Sequence, residues 1–158
     1  MTIEQTSGEL ADLVTPRGVI AQLRAPTKRQ VLQELARRAA TVTGVPDRRI
    51  YDALAERERL GTTGIGTGVA IPHCRLPELT RLYGVFARLE RPVPFEAIDD
   101  QPVDLLFLLL APSEAGAEHL KALARVSRLL RDRAMCEKLR GANSADALYS
   151  LLTGGAAG

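Results

Sequence analysis

His73 is the residue whose type and setting point most directly to chemistry. It follows Pro72, whose ring fixes a backbone dihedral angle and removes an amide donor, so the imidazole projects from a stiff piece of chain. A neutral imidazole is nucleophilic near neutral pH and attacks phosphorus without first giving a proton to a base. This position predicts a phosphoryl acceptor, with a structural histidine as the alternative interpretation.

A glycine-rich segment, residues 61–68, lies just before His73 and contains four glycines and three threonines. Free amides and hydroxyls in such a segment can form a concave anion site, although composition alone allows a flexible surface loop equally well. A Walker A loop is excluded because no lysine follows the last glycine. A dinucleotide fingerprint is excluded because Pro72 blocks the helix that should follow the glycines.

His119, the second of two histidines, lies at the predicted start of a helix, just beyond a buried strand. The ends of central strands are where α/β sheets build their sites, and a helix start favours anions. A site shared with His73 is therefore a hypothesis, and an exposed histidine in a first helical turn is the alternative.

Two arginines, Arg57 and Arg59, precede the glycine-rich segment at the end of a predicted helix. The planar guanidinium of one of them suits a phosphoryl group. The alternative is a solvated helix face shared with Glu56 and Glu58.

Metal and thiol chemistry are not predicted. Neighbours such as His73 and Cys74 rarely bind one ion, and no other ligand lies at the usual short spacing. Cys74 has no visible partner that would activate it as a nucleophile. The chain has two cysteines, Cys74 and Cys136. This number is too small for a disulfide framework and fits a reducing cytoplasm.

Composition and length indicate one globular domain. The chain has 158 residues, 46% of them hydrophobic, and a net charge of +2, which argues against nucleic-acid binding driven by charge. The longest apolar run, residues 105–111, is far too short to span a bilayer, and no signal peptide is visible, so no membrane insertion and a cytoplasmic location are expected.

Mixed strand and helix patterns predict the elements that position these residues. Apolar residues recur at helical spacing over residues 9–14, 27–44, 48–60, 117–130, 132–139 and 144–152, and Leu120 is predicted on the buried side of its helix. The predicted N-caps are Thr27, Asp47, Asp132 and Ser144. Strands are predicted over residues 19–23, 69–71, 82–90 and 103–110. The last of these is apolar throughout and must be buried on both faces.

The expected fold is α/β: a single domain with a mixed parallel and antiparallel sheet flanked by helices on both faces. The domain is predicted to span residues 9–153, and the termini, residues 1–8 and 154–158, are expected to be flexible.

Three ordered blocks carry a resemblance to a known family. They are RERLGTTGIG and GVAIPH at residues 57–66 and 68–73, PFEAIDDQPVDLLF at residues 94–107, and HLKAL at residues 119–123. Together they resemble IIA proteins of the fructose–mannitol type, from the bacterial phosphoenolpyruvate phosphotransferase system. The second block is most similar to the nitrogen-regulatory members of that family.

The resemblance implies a phosphohistidine at His73, on Nε2. It also implies that His119 forms a hydrogen bond with the phosphoryl group and that Arg57 stabilises charge there. It implies a phosphoryl-binding loop comprising Thr62, Thr63, Gly64 and Gly66. Arg75 is expected to help dock a partner, and Cys74 stands where relatives usually carry a small residue. Neither a metal nor any other cofactor is expected.

The resemblance further implies an HPr-like phosphocarrier of the nitrogen branch as donor, and regulatory targets such as potassium transporters or sensor kinases. One alternative function is a sugar-transport IIA subunit that donates phosphate to a separate IIB component. Another is a binding module that has lost transfer, against which the joint presence of His73, His119 and Arg57 speaks.

Overall fold

A computed structural model describes residues 10–154 as six strands and five helices. The strands are β1 (Val14–Leu23), β2 (Gly64–Gly66), β3 (Val69–Ala70), β4 (His73–Leu76), β5 (Tyr83–Val93) and β6 (Val103–Pro112). The helices are α1 (Lys28–Thr43), α2 (Asp47–Leu60), α3 (Gly116–Arg131), α4 (Arg133–Gly141) and α5 (Ala145–Thr153).

Strand β6 is the centre of the sheet because its side chains are apolar on both faces. Its odd-numbered residues from 105 to 109 pack into one apolar cluster with α3, α4 and α5. Its even-numbered residues from 106 to 110 pack into a second cluster with α1 and α2. A strand buried in this way needs helices on both sides of the sheet. The predicted α/β fold is confirmed.

The sheet is mixed. Its strand order is β1-β5-β6-β3-β2, and β4 also pairs with β6. Strand β5 runs antiparallel to β6, whereas β3 and β4 run parallel to it and pair with successive parts of its length. The register of β4 places His73 beside Leu109 and Arg75 beside Ala111. Both residues are thus fixed to the most buried strand of the protein.

Capping residues define most helix starts as predicted. The side chains of Thr27, Asp132 and Ser144 accept hydrogen bonds from amides in the first turns of α1, α4 and α5. Helix α2 differs, because Pro46 occupies the N-cap position and Asp47 is the first helical residue, without a side-chain capping bond. The carboxylate of Asp47 still lies at the positive end of the helix dipole.

Besides the cap predicted at Asp47, two predictions about the helices were wrong. Residues 10–13 form a turn, and β1 starts at Val14 and runs through Pro16, so no helix occupies the described part of residues 9–14. A proline is tolerated there because β1 is an edge strand with a register shift after Val14. Leu120 is 65% exposed, because His119 and Ala122 take the buried side of α3 instead.

Residues 1–9 and 155–158, which include most of the predicted flexible termini, lie outside the described residues. Among residues 10–154, no helix combines the length and apolar character that a membrane span requires.

Candidate phosphoryl-transfer site

A cavity of about 640 Å³ opens where β4 lies between α2 and the start of α3. Helix α2 contributes Arg57 and Leu60, strand β4 contributes residues 73–75, and α3 contributes His119. The structure therefore brings together four of the predicted site residues, His73, His119, Arg57 and Arg75, although they come from three separate elements.

His73 is held at the first position of β4. The Pro72 carbonyl accepts a hydrogen bond from the Leu109 amide at 2.9 Å, which ties the residue before His73 to β6. The Nδ1 atom of His73 lies 2.8 Å from the Ile71 carbonyl oxygen. Since a carbonyl only accepts, Nδ1 carries the proton of the neutral ring and Nε2 keeps its lone pair. The nitrogen that is left nucleophilic is Nε2.

The surroundings of His73 favour its neutral form. Burial lowers its pKa from the ordinary 6.5, and the nearby cations Arg57 and Arg75 lower it further. The hydrogen bond to Ile71 and the charge of Glu58 act in the opposite direction. Because the net effect is a lowered pKa, the imidazole is unprotonated at neutral pH and its lone pair is available.

His119 faces His73 from the first turn of α3. It is only 5% exposed, its ring centroid lies 5.5 Å from that of His73, and the two planes meet at 73°. Its Nδ1 atom lies 3.1 Å from Nε of Arg75. Its Nε2 atom is a buried polar side-chain atom that lacks a hydrogen-bond partner within the described residues. A buried polar atom of this kind calls for a partner that binds in the cavity.

His119 is also neutral. Burial, followed by the charges of His73 and Arg75, lowers its pKa to about 4. The arginine Nε–H can only donate, so Nδ1 of His119 accepts and Nε2 carries the proton. The cavity thus holds one imidazole with a free lone pair and a second with a free N–H.

Arg57 lies in the last turn of α2 and lines the cavity, and its Nη1 donates to the Gly61 carbonyl at 2.8 Å. Arg59 instead pairs with Glu56 at 3.0 Å, is largely exposed, and does not itself line the cavity. Of the two arginines, Arg57, which the family resemblance had named, is therefore the one at the cavity.

The polar groups of the glycine-rich segment are used within the fold. The Thr62 hydroxyl donates to the Phe95 carbonyl at 3.0 Å and accepts from the Gly64 amide at 3.0 Å. The amide of Thr63 donates to the Glu58 carboxylate at 3.2 Å, and its hydroxyl donates to the same carboxylate. Residues 62–66 do not line the cavity. Their direct contact with a phosphoryl group remains a prediction.

Two glycines of this segment serve backbone packing. A Cβ on Gly64 would lie 2.8 Å from the Cβ of Ala97, so the strand β2 can approach the loop before β6 only without a side chain. Gly66 has a φ of 102°, a conformation that favours glycine, where β2 turns back toward β3.

Glu58 is a residue of the site region that sequence reasoning missed. Its side chain is 7% exposed and pairs with Lys28 at 2.9 Å while it holds Thr63. In the sequence it has the appearance of an ordinary charged residue on a helix face, and only its place inside the first motif block singles it out. It anchors the glycine-rich segment to the ends of α1 and α2.

Cys74 lies in the wall of the cavity with most of its side chain buried, and burial raises the pKa of its thiol to about 12. A thiol that stays protonated at neutral pH is a poor nucleophile. Its properties agree with the expectation that Cys74 takes no part in the chemistry.

Comparisons with known proteins bear on this geometry. The family model described as phosphoenolpyruvate-dependent sugar phosphotransferase system, EIIA 2, matches residues 12–154. A nitrogen regulatory protein of Bradyrhizobium diazoefficiens is 54% identical over 143 residues, which are 90% of this chain and 94% of the relative. The nitrogen regulatory protein of Escherichia coli is 39% identical over 154 residues, 97% of this chain and 94% of the relative.

A solved structure gives the same result. The crystal structure of the nitrogen regulatory protein IIA-Ntr from Neisseria meningitidis matches with a TM-score of 0.87 and 30% identity, over 92% of this chain and 99% of that one. The resemblance expected from the three motif blocks is confirmed, including its similarity to the nitrogen-regulatory members. On these matches, the chain belongs to the EIIA 2 family of the phosphoenolpyruvate-dependent sugar phosphotransferase system, a family of phosphotransfer proteins.

Proposed function

We propose that the protein is a phosphocarrier that accepts a phosphoryl group on Nε2 of His73. The observation that carries this proposal is the hydrogen bond between Nδ1 of His73 and the Ile71 carbonyl, which leaves Nε2 as the lone-pair nitrogen. Nucleophilic catalysis by histidine needs a neutral, fixed imidazole, and both the tautomer and the lowered pKa meet that need.

Transfer is a displacement at phosphorus. The lone pair of His73 Nε2 forms the new N–P bond as the N–P bond of the phosphorylated donor breaks, and its electron pair returns to the donor nitrogen. Positive charge then develops on the His73 ring, and the Ile71 carbonyl stabilises it through the Nδ1–H. Since the transition state is loose, catalysis rests on positioning and on stabilisation of the phosphoryl oxygens.

His119 and Arg57 are the groups that stabilise these oxygens. The unpaired Nε2–H of His119 donates to one of them, and the guanidinium of Arg57 supplies positive charge at the cavity wall. Binding of the phosphoryl group by Thr62, Thr63, Gly64 and Gly66 remains a prediction. Thr63 also bonds to Glu58 near the end of α2, where the Gly61 carbonyl accepts from Arg57.

The donor that we propose is an HPr-like phosphocarrier of the nitrogen branch, acting in the cytoplasm. Two exposed leucines near the cavity support docking of a protein at this surface. Leu60, which is 81% exposed, lines the cavity, and Leu120, which is 65% exposed, follows His119 in the chain. The regulatory role is supported by the names of the relatives, and its proposed targets are potassium transporters or sensor kinases.

A sugar-transport IIA subunit that passes phosphate to a separate IIB component is the second candidate. It is favoured by the family description, which names the sugar phosphotransferase system. Rapid loss of phosphate to a purified sugar-specific IIB component would favour transport, whereas a phosphorylated protein that keeps its phosphate in that mixture favours regulation.

The central test is phosphorylation in vitro. The protein is incubated with labelled phosphoenolpyruvate, the first enzyme of the system and an HPr-like carrier. We expect an acid-labile, alkali-stable label on the wild type and none on His73→Ala, with the fold of both checked by circular dichroism. Label that persists on a folded His73→Ala variant would remove His73 from its role.

A further inference from the structure

We propose that Arg75 is a positioning residue for this transfer, because its Nε–H donates to Nδ1 of His119 and holds that imidazole as the Nε2–H tautomer facing the cavity. The inference rests on the proposed function of His73. It assigns to Arg75 a role beyond the partner docking expected from the sequence.

The direction of the hydrogen bond between Arg75 and His119 follows from which of their atoms can donate and which can accept. An arginine Nε has a proton and no lone pair, so the 3.1 Å contact requires a lone pair on Nδ1 of His119. The opposite tautomer would place two N–H groups face to face. It would also put a lone pair on Nε2, where an incoming phosphoryl oxygen needs a donor.

The second observation is the state of the other ring nitrogen. Nε2 of His119 is buried and lacks a partner among the described residues. A buried donor without a partner lowers the stability of the fold. A ligand in the cavity can accept a hydrogen bond from this N–H. The contact with Arg75 fixes the proton on Nε2, so that this nitrogen is a donor and not an acceptor.

Strand geometry allows Arg75 to reach both histidines. Residues two apart on a strand project from the same face, so Arg75 follows His73 on the face of β4 that meets His119. Strand β4 pairs with β6, and β6 continues through residues 113–115 into α3, which carries His119. The three side chains are therefore positioned by one connected unit of the fold.

The charges that act on His119 all favour its neutral form. They are the guanidinium of Arg75 and, when it is protonated, the imidazole of His73. Arg75 thus acts on His119 in two ways: its Nε–H donates to Nδ1, and its positive charge opposes a second proton on the ring. The imidazole stays a single-proton donor at Nε2.

The first experiment reads the tautomer directly and needs no transfer. Long-range proton–nitrogen NMR of the unphosphorylated, nitrogen-15-labelled protein shows the ring nitrogens of its two histidines, which a His73→Gln variant assigns. In the wild type we expect His119 Nδ1 at the shift of a hydrogen-bonded lone-pair nitrogen and Nε2 at the shift of a protonated one. In Arg75→Met the two shifts move toward each other as the tautomers mix.

Arg49→Met is the matched control. Arg49 lines the same cavity, but it pairs with Glu78 at 2.8 Å instead of with His119, so its loss removes a cavity cation without removing the hydrogen bond. We expect the His119 shifts of this variant to match the wild type. The proposal is overturned if Arg75→Met leaves them unchanged, or if Arg49→Met moves them equally.

The second experiment separates positioning from docking. Steady-state transfer from the donor should show kcat lowered about tenfold in Arg75→Met with KM changed less than about twofold, because the group lost acts on the transition state through His119. A raised KM with unchanged kcat would mean that Arg75 only docks the partner. If His73 proves not to accept phosphate, the NMR result still stands or falls by itself.

Discussion

The imidazole rings of His73 and His119 meet edge to face, with their centroids 5.5 Å apart, and each is fixed by a hydrogen bond at Nδ1. His73 donates from Nδ1 to a carbonyl, whereas His119 accepts at Nδ1 from an arginine. The two Nε2 atoms consequently differ, one being a nucleophile and the other a donor. This complementarity is what a phosphoryl acceptor and its stabilising partner require.

Removal of the hydrogen-bond donor His119 should slow phosphoryl transfer. In His119→Ala we expect kcat to fall about 100-fold, because one preorganised hydrogen bond to the phosphoryl oxygens is lost in the transition state. Rapid-quench measurement of the label on His73 gives the rate, and circular dichroism checks the fold. An unchanged rate in a folded variant would show that His119 is not the donor.

Stability should depend on pH through His119. Its pKa is about 4 in the folded protein and 6.5 ordinarily, so the unfolded chain binds the proton first as the pH falls. The contribution of the neutral imidazole is fully present above pH 6.5 and is lost as the pH falls toward 4. Urea unfolding across this range measures the loss.

His119→Ala is the control for that titration, since it should show a weaker decline over the same pH range. Part of what remains belongs to His73, whose pKa is also lowered by burial. Near pH 4 a further part belongs to Asp12, Glu78 and Asp99, whose pKa values are lowered by hydrogen bonds. Identical pH profiles for the variant and the wild type would contradict the assignment of the low pKa to His119.

Partner docking should depend on Leu60. In Leu60→Ser we expect KM for the phosphorylated donor to rise several-fold with kcat retained, because an exposed apolar side chain at the cavity is a contact for the partner. Ile98→Ser is the matched control, as Ile98 is 76% exposed but does not line the cavity. Equal effects of the two substitutions would rule out a specific role for Leu60.

The glycine-rich segment should be sensitive to added volume at one position. Gly64→Ala places a Cβ within 2.8 Å of Ala97, so we expect the free energy of unfolding to fall by about 1–3 kcal/mol. Gly116→Ala, where a Cβ meets nothing within 4 Å, should have little effect. Chemical denaturation of both variants provides the measurement, and a Gly64→Ala variant as stable as the wild type would disprove the close approach.

Local signals in the sequence determined most of the elements. The apolar run over residues 103–110 predicted a strand covered on both faces, and the caps at Thr27, Asp132 and Ser144 placed three helix starts. These features depend on hydrogen bonds between near neighbours and on the period of apolar residues, which a sequence displays directly. The helix predicted before Pro16 was wrong, because a proline can end a helix or lie in an edge strand. Only the position of the strand in the sheet distinguishes the two.

The sequence by itself also singled out His73, by its proline neighbour and the motif around it, and the family followed from three ordered blocks. The family resemblance already implied that His119 and Arg57 act beside His73, and the tertiary structure places both at one cavity with it. Only the tertiary structure decided that Arg75 bonds to His119. It also turned the polar groups of Thr62 and Thr63 toward the protein. These relationships join elements far apart in the chain, and they depend on strand register and on the direction of hydrogen bonds, which no local pattern records.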